Sequence, residues 1–181
     1  MQSLQPEQGV FLLDAVFRPA LDREHQATKK VIAAIPLDKG DYRPDPISKT
    51  ALELAWHIAT AENRFLEAVA SGEFNFATSG KPDSIRNSAD VAQWYEERFS
   101  ENMDRLNRLS GDQLVKIIDF RGVMQLPAVM FLRIGMSHSI HHRGQLSAYL
   151  RSAGAKVPSI YGESYDDAEA RKAAQAQTGT A

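Results

Sequence analysis

Three of the chain's five histidines, His138, His141 and His142, fall within five consecutive positions. His138 and His142 are spaced i,i+4. On a helix that is an offset of about 40° and one turn, so two imidazoles can grip one ion. With His138 at zero, Phe131 and Tyr149 fall at about +20°, Ile134 at about −40° and Gln145 at about −20°. The pair is therefore expected in a largely apolar stripe that faces the core. An inward imidazole must be satisfied, because burying a polar group without a partner is costly. A metal ion would satisfy it, and so would an ordinary core hydrogen bond. His141, at i+3 from His138, lies nearer the stripe's edge and ranks below His142 as a ligand. A third ligand has to come from another helix. His57 is the choice, at the flank of the Leu54–Ala61 stripe with Trp56 beside it as a wall. His25 sits in a polar run, DREHQATKK, and reads as a surface residue.

Three neutral imidazoles on a divalent ion leave at least one position open, which is the mark of a catalytic rather than a structural site. An open position lowers the pKa of bound water towards about 7, or takes a thiol as thiolate. Other parts are less pointed. Gln145, one turn beyond His142, can bond a ligand or orient a histidine, or be a satisfied structural amide. Glu62 and Tyr149 are candidate proton relays, with packing the commoner role for each. Arg143 projects about 100° from His142, which favours a structural ion pair. Tyr42 and Tyr161 lie in loops that can rim a pocket.

Four long helices are needed to position these groups. Val10, Leu13, Phe17, Leu21, Val31 and Ile35 mark a first helix over 8–35, with a kink or late start expected at Pro19. A second covers 49–70, capped by Ser48 or Thr50 and closed by Ser71-Gly72. Residues 71–87 read as a long crossover loop and 88–109 as the third helix. Leu114–Phe120 is extended or part of a small hairpin turning at Gly122. The fourth helix is expected over 126–153, with Pro127 in its first turn and Gly154 at its end. A short Ala-rich helix over 163–176 follows, and the tail beyond, ending TGTA, is expected to be loose. A second apolar strip on the fourth helix, Val129, Leu132, Met136, Ile140 and Leu150, suits a neighbouring helix or a dimer interface.

The totals fit one domain spanning 1–181: 43% hydrophobic and 24% charged residues over 181 positions. A net charge of −2 gives no basic surface for nucleic acid. Cysteine is absent, so thiolate ligands and disulfides are excluded. No apolar run reaches the roughly 20 residues that span a bilayer, and the first 25 residues lack the pattern of a signal peptide. The expected location is the cytoplasm, with no membrane partner.

The segment HSIHHRGQL, His138 to Leu146, resembles the H-x-x-x-H-R-G-Q signature of the DinB-like family. LELAWHIATAENRFL resembles that family's second helix with its single histidine, and Val157–Gly162 its loop after the last bundle helix. The resemblance covers nearly the whole chain in helix order. It implies an all-α, up-down-down-up four-helix bundle with His57, His138 and His142 holding zinc or nickel, and a homodimer. It also implies a small-molecule substrate. Relatives include thiol S-transferases and isomerases that use low-molecular-weight thiols. The functional expectation is a metal-dependent thiol S-transferase or hydrolase acting through metal-bound thiolate or hydroxide; the alternative is a non-catalytic, metal-binding stress-response protein.

Overall fold

A proline inside a helix lacks the N–H for the ladder, and its ring presses on the carbonyl four residues back. The chain places a π-helical turn just before Pro19. In the computed structural model, which describes residues 3–77 and 80–178, the first helix runs through three registers. They are α1 (Pro6–Phe11), a π-helical turn (Leu12–Phe17) and α2 (Arg18–Ala33). Pro19 then occupies the first turn of α2.

The next helix, α3 (Ala51–Ser71), starts at a capping box. Thr50 Oγ1 accepts the Glu53 N–H at 3.1 Å, and Glu53 Oε2 accepts the Thr50 N–H at 2.7 Å. Gly72, with φ 77°, ends it in the left-handed region. After the crossover, Asn87 and Asp90 box the start of α4 (Ser88–Leu106). A short α5 (Gly111–Val115) leads into a hairpin of β1 (Ile117–Phe120) and β2 (Met124–Pro127), paired with Ile118 opposite Leu126. Arg121 and Gly122, at φ 57° and 69°, make its turn. Pro127 therefore closes a strand and does not open the fourth helix. That helix, α6, begins at Met130 and runs to Ser152, because the hairpin consumes the residues before it. The last helix, α7 (Tyr165–Thr178), extends past the expected end at 176, and 179–181 lie outside the described residues.

Two apolar clusters set the helix directions. One joins Leu13, Phe17, Phe65, Phe99, Leu106 and Leu132; the other joins Val31, Ile32, Leu54, Val91, Leu146 and Leu150. In chain order α2 and α6 run from the first cluster to the second, and α3 and α4 run back. The result is an up-down-down-up bundle in which α3 packs on α4 and α6, and α2 on the same two. Of the second apolar strip on α6, Val129, Leu132 and Leu150 are buried inside the chain itself, so it is mostly core. Among the described residues no helix is long and apolar enough to cross a membrane.

Between the clusters lies a belt of buried polar side chains: His25 and Thr28, Glu62 and Asn63, Ser139 and Arg143. Tyr95 Oη donates to Glu62 Oε1 at 2.6 Å, and Asn102 Nδ2 donates to Asn63 Oδ1 at 3.0 Å. His25 is fully buried, which corrects its reading as a surface residue. Its ring stacks on Phe99 at 3.8 Å and leans on Tyr95 at 4.3 Å, and its Nε2 lies 3.1 Å from Glu96 Oε2. Burial pushes its pKa below the ordinary 6.5, with Glu96 opposing in part. The folded state thus resists protonation of His25 more than the unfolded chain, which takes up the proton below about 6.5. The contribution is complete above that pH and is lost as pH falls towards the folded value. Wild type is expected to lose up to ~1.4 kcal/mol per pH unit below 6.5 that a His25→Gln variant keeps. Urea midpoints of both proteins at pH 7.5 and 5.5 check this; parallel losses would remove His25 as the source.

Candidate metal centre

His57 comes two turns into α3, so the Thr50 cap fixes its height in the bundle. His138 and His142 stand on successive turns of α6. The two helices are held close at Gly135: a Cβ there would sit 2.7 Å from Phe65 Cβ, closer than carbon atoms pack. One turn beyond this contact the three histidines meet. His57 Nε2 and His138 Nε2 are 3.2 Å apart. The ring centroids are 5.0 Å (57–138), 4.8 Å (57–142) and 4.5 Å (138–142) apart. One nitrogen from each ring lies within 4.8 Å of the others, so the three are close enough to hold one ion.

The donors suit a divalent cation. Two imidazoles bonded at about 2.0–2.1 Å in tetrahedral array place their nitrogens about 3.3 Å apart, and the His57–His138 edge already has that length. Burial, with smaller repulsion from His142 in each case, lowers the pKa of His57 and His138 to about 4. Both rings are neutral at pH 7 and offer lone pairs. His142 Nδ1 lies 2.9 Å from Gln145 Oε1. With the amide oxygen in that place Nδ1 donates to it, which leaves Nε2 to face an ion. Gln145 Nε2 in turn donates to Tyr149 Oη at 3.2 Å, and Tyr42 packs edge-on against Tyr149 at 6.0 Å. Gln145 and Tyr149 thus orient His142. Below the site Phe65 stands 6.5 Å from the His138 ring, within a cluster that includes Phe74, Phe120 and Phe131.

Several sequence expectations change here. The histidines stand at the edge of the core face rather than in its middle. All three are half-buried, in the seam between α3 and α6. The buried face of α6 spreads from Phe131 and Tyr149, about 20° from His138, through Ser139, Leu146, Leu150 and Arg143 at about 80–140°. A serine and an arginine do not register as core in an apolar pattern, so the stripe's centre was misplaced. Glu62 is placed away from the three rings. It lies in the polar belt bonded to Tyr95, with its pKa raised by burial, and no hydrogen bond joins it to the three histidines among the described residues. Tyr161 does not rim the pocket. Its hydroxyl lies 2.5 Å from Arg143 Nη2 and donates to Glu24 Oε2 at 2.8 Å, on the α2 side of α6. His141 is exposed beside His142, outside the cluster.

Arg143 is the residue whose role the sequence understated. It is an ion-pairing residue, as its direction predicted, but it is 1% exposed. It pairs with Glu24 at 2.7 Å and donates to Thr28 Oγ1 at 3.2 Å. His25 had a readable signal: Leu21, His25, Thr28 and Ile32 follow at i, i+4, i+7 and i+11, the spacing of one buried face.

The family model that describes the DinB family matches residues 17–178, which include every element of this site. The chain belongs to the DinB family. A DinB-like protein from Bacillus cereus ATCC 10987, whose crystal structure is known, is 26% identical. It superimposes with a TM-score of 0.68 over 80% of this chain and 95% of its own. The crystal structure of Bacillus subtilis YjoA, also described as DinB-like, shares the fold at a TM-score of 0.63 over 77% of this chain and 92% of its own, with 24% identity. In sequence, YjoA is 26% identical over 129 residues, 70% of this chain and 82% of YjoA. YrdA of the same organism is 25% identical over 153 residues, 83% of this chain and 89% of YrdA; both carry the description uncharacterized. For this DinB family chain the comparisons fix the bundle and leave the reaction to the chemistry of the site.

Proposed function

We propose that the chain is a divalent-metal-dependent enzyme, with His57, His138 and His142 as ligands to zinc or nickel, that activates a small thiol for S-transfer. The observation that carries this is the donor set. Two neutral Nε2 atoms stand at liganding separation, and a third is oriented by Gln145. Among the described residues no carboxylate or further histidine completes the group, so coordination stays open. Three imidazoles suit zinc and nickel alike. A divalent ion here supplies Lewis-acid stabilisation of an anionic sulfur or oxygen at neutral pH. The protein's own part is to keep two imidazoles neutral and to lock the tautomer of the third. It also closes one side with the phenylalanine cluster.

Hydrolysis draws on the same open position. A non-catalytic ion-holding role is the other reading, and what favours it is that the one carboxylate lining the cavity at His57 among the described residues, Glu53, is engaged at the α3 cap rather than left to move a proton. Cobalt-loaded protein titrated with small thiols separates these. A saturable near-ultraviolet sulfur-to-metal charge-transfer band, absent from His57→Ala, is expected for the thiol reading. Metal retained with no such band at any thiol concentration would exclude it and leave hydrolysis or ion holding.

A further inference from the structure

A cavity of about 570 Å³ opens along the first half of α3 and reaches the histidine triad at His57. That volume is within the roughly 300–1,000 Å³ of small-ligand pockets. Its walls are unlike the rest of this near-neutral chain. Arg43, Lys49 and Lys81 line it together with Trp56, and Glu53 is its one carboxylate among the described residues. Glu53 is already engaged, since its Oε2 closes the α3 cap on the Thr50 N–H. That bond holds its carboxyl below the usual range, with Arg43 and Lys49 adding to the effect. Lys81 Nζ donates to the Ile85 carbonyl. Arg43 and Lys49 are exposed and form no ion pair among the described residues. Past Trp56 the groove continues into a second cavity of about 460 Å³, which adds Trp94, the cations Arg64 and Arg98, and one further carboxylate, Glu67.

Three neutral imidazoles do nothing to cancel the charge of a divalent ion. The adjoining cavity adds three cations against one occupied carboxylate. A guanidinium fork matches a carboxylate in two parallel hydrogen bonds, and an ammonium adds a point charge. A cationic thiol would be repelled here, and a neutral one would leave the groove unmatched. We propose that this groove selects an anionic thiol, with Arg43 and Lys49 holding a carboxylate on its tail while its sulfur reaches the ion position beside His57. The inference rests on the thiol reading given above and names the class of thiol.

The chain's only two tryptophans, Trp56 and Trp94, both line the groove, so intrinsic fluorescence reports on it directly. Zinc-loaded protein is titrated with three thiols of similar size: 3-mercaptopropionate, 2-mercaptoethanol and cysteamine. The expected order is anionic, neutral, cationic. At least about tenfold should separate the first two, shrinking as salt is raised. The double variant Arg43→Gln, Lys49→Gln, changed only at exposed positions, should lose that separation. Arg133→Gln, on the exposed side of α6, should keep it. Equal affinities for the three thiols, or a preference unchanged in the double variant, would overturn the groove assignment while a sulfur-to-metal band kept the thiol reading. Charge-selective quenching without such a band in cobalt-loaded protein would do the reverse, sustaining the groove as a carboxylate site and removing the thiol.

Discussion

His57→Ala protein, purified without a tag beside wild type and assayed by plasma mass spectrometry, is expected to lose the zinc or nickel that wild type carries at about one per chain. Removing an outer partner of a metal ligand typically costs about 10–100-fold in affinity. Removing a ligand from a site with only three should cost more than that, enough to lose the ion on desalting. The same outcome is expected for His138→Ala and His142→Ala. Gln145→Ala leaves the ligands in place and should weaken binding within that outer-partner range, because His142 would then lose the acceptor that fixes its tautomer. His141→Ala is the internal control. Its ring is exposed and outside the cluster, so full stoichiometry is expected. Wild type that takes up no zinc or nickel even when both are supplied would make the three histidines a hydrogen-bonded seam and nothing more.

Arg143→Met is expected to be the most destabilising single change in the signature segment, by about 3–5 kcal/mol, the range for removing one partner of a buried pair. The methionine fills part of the space but leaves Glu24, 14% exposed at its side chain, without its guanidinium. Thr28 Oγ1, the Glu24 carbonyl and Tyr161 Oη lose a donor at the same time. Pairing the change with Glu24→Gln should recover much of the loss, since the unpaired charge goes with its partner. Urea unfolding of the two single variants and the double variant measures the cycle. A cost below ~1 kcal/mol for Arg143→Met would mean that the pair is no stronger than a surface one. Metal stoichiometry of the folded variant should stay near one, because the guanidinium and His142 project on different sides of α6.

Local signals that act through backbone chemistry were legible in the sequence. Thr50, one of the two residues offered as the cap of α3, Gly72 after that helix and Gly122 in the hairpin each sit where the sequence placed a cap or a turn. Periodicity placed the four long helices and the 71–87 connection allowed a non-hairpin crossing; the up-down-down-up order came from the family resemblance, and the three histidines do meet. The failures came from residues whose type disguises their place. His25 lies among charged neighbours, yet its spacing belongs to the buried face of α2. Arg143 and Ser139 form the middle of the α6 core face, so a stripe drawn through apolar residues alone was rotated onto the histidines. Pro127 has the chemistry of a helix start and also of a strand end. Nothing local distinguishes them until the β1 pairing is known. Pro19 marked a break in the first helix but not its form, because a π-turn has no composition of its own.

The polar belt between the two apolar clusters bears on the alignment of the helices. Leucines and valines tolerate sliding, since one turn of displacement brings another apolar side chain into much the same environment. The belt is not so forgiving. Moving α6 by one turn along α2, about 5.4 Å, would carry Arg143 away from Glu24 and Thr28, and would leave a guanidinium and a carboxylate unpaired in the interior. Moving α3 along α4 would part Glu62 from Tyr95 and Asn63 from Asn102. The belt thus acts as a vernier: it admits one setting of the four helices. In that setting His57, two turns from the start of α3, stands opposite two histidines that begin eight residues into α6.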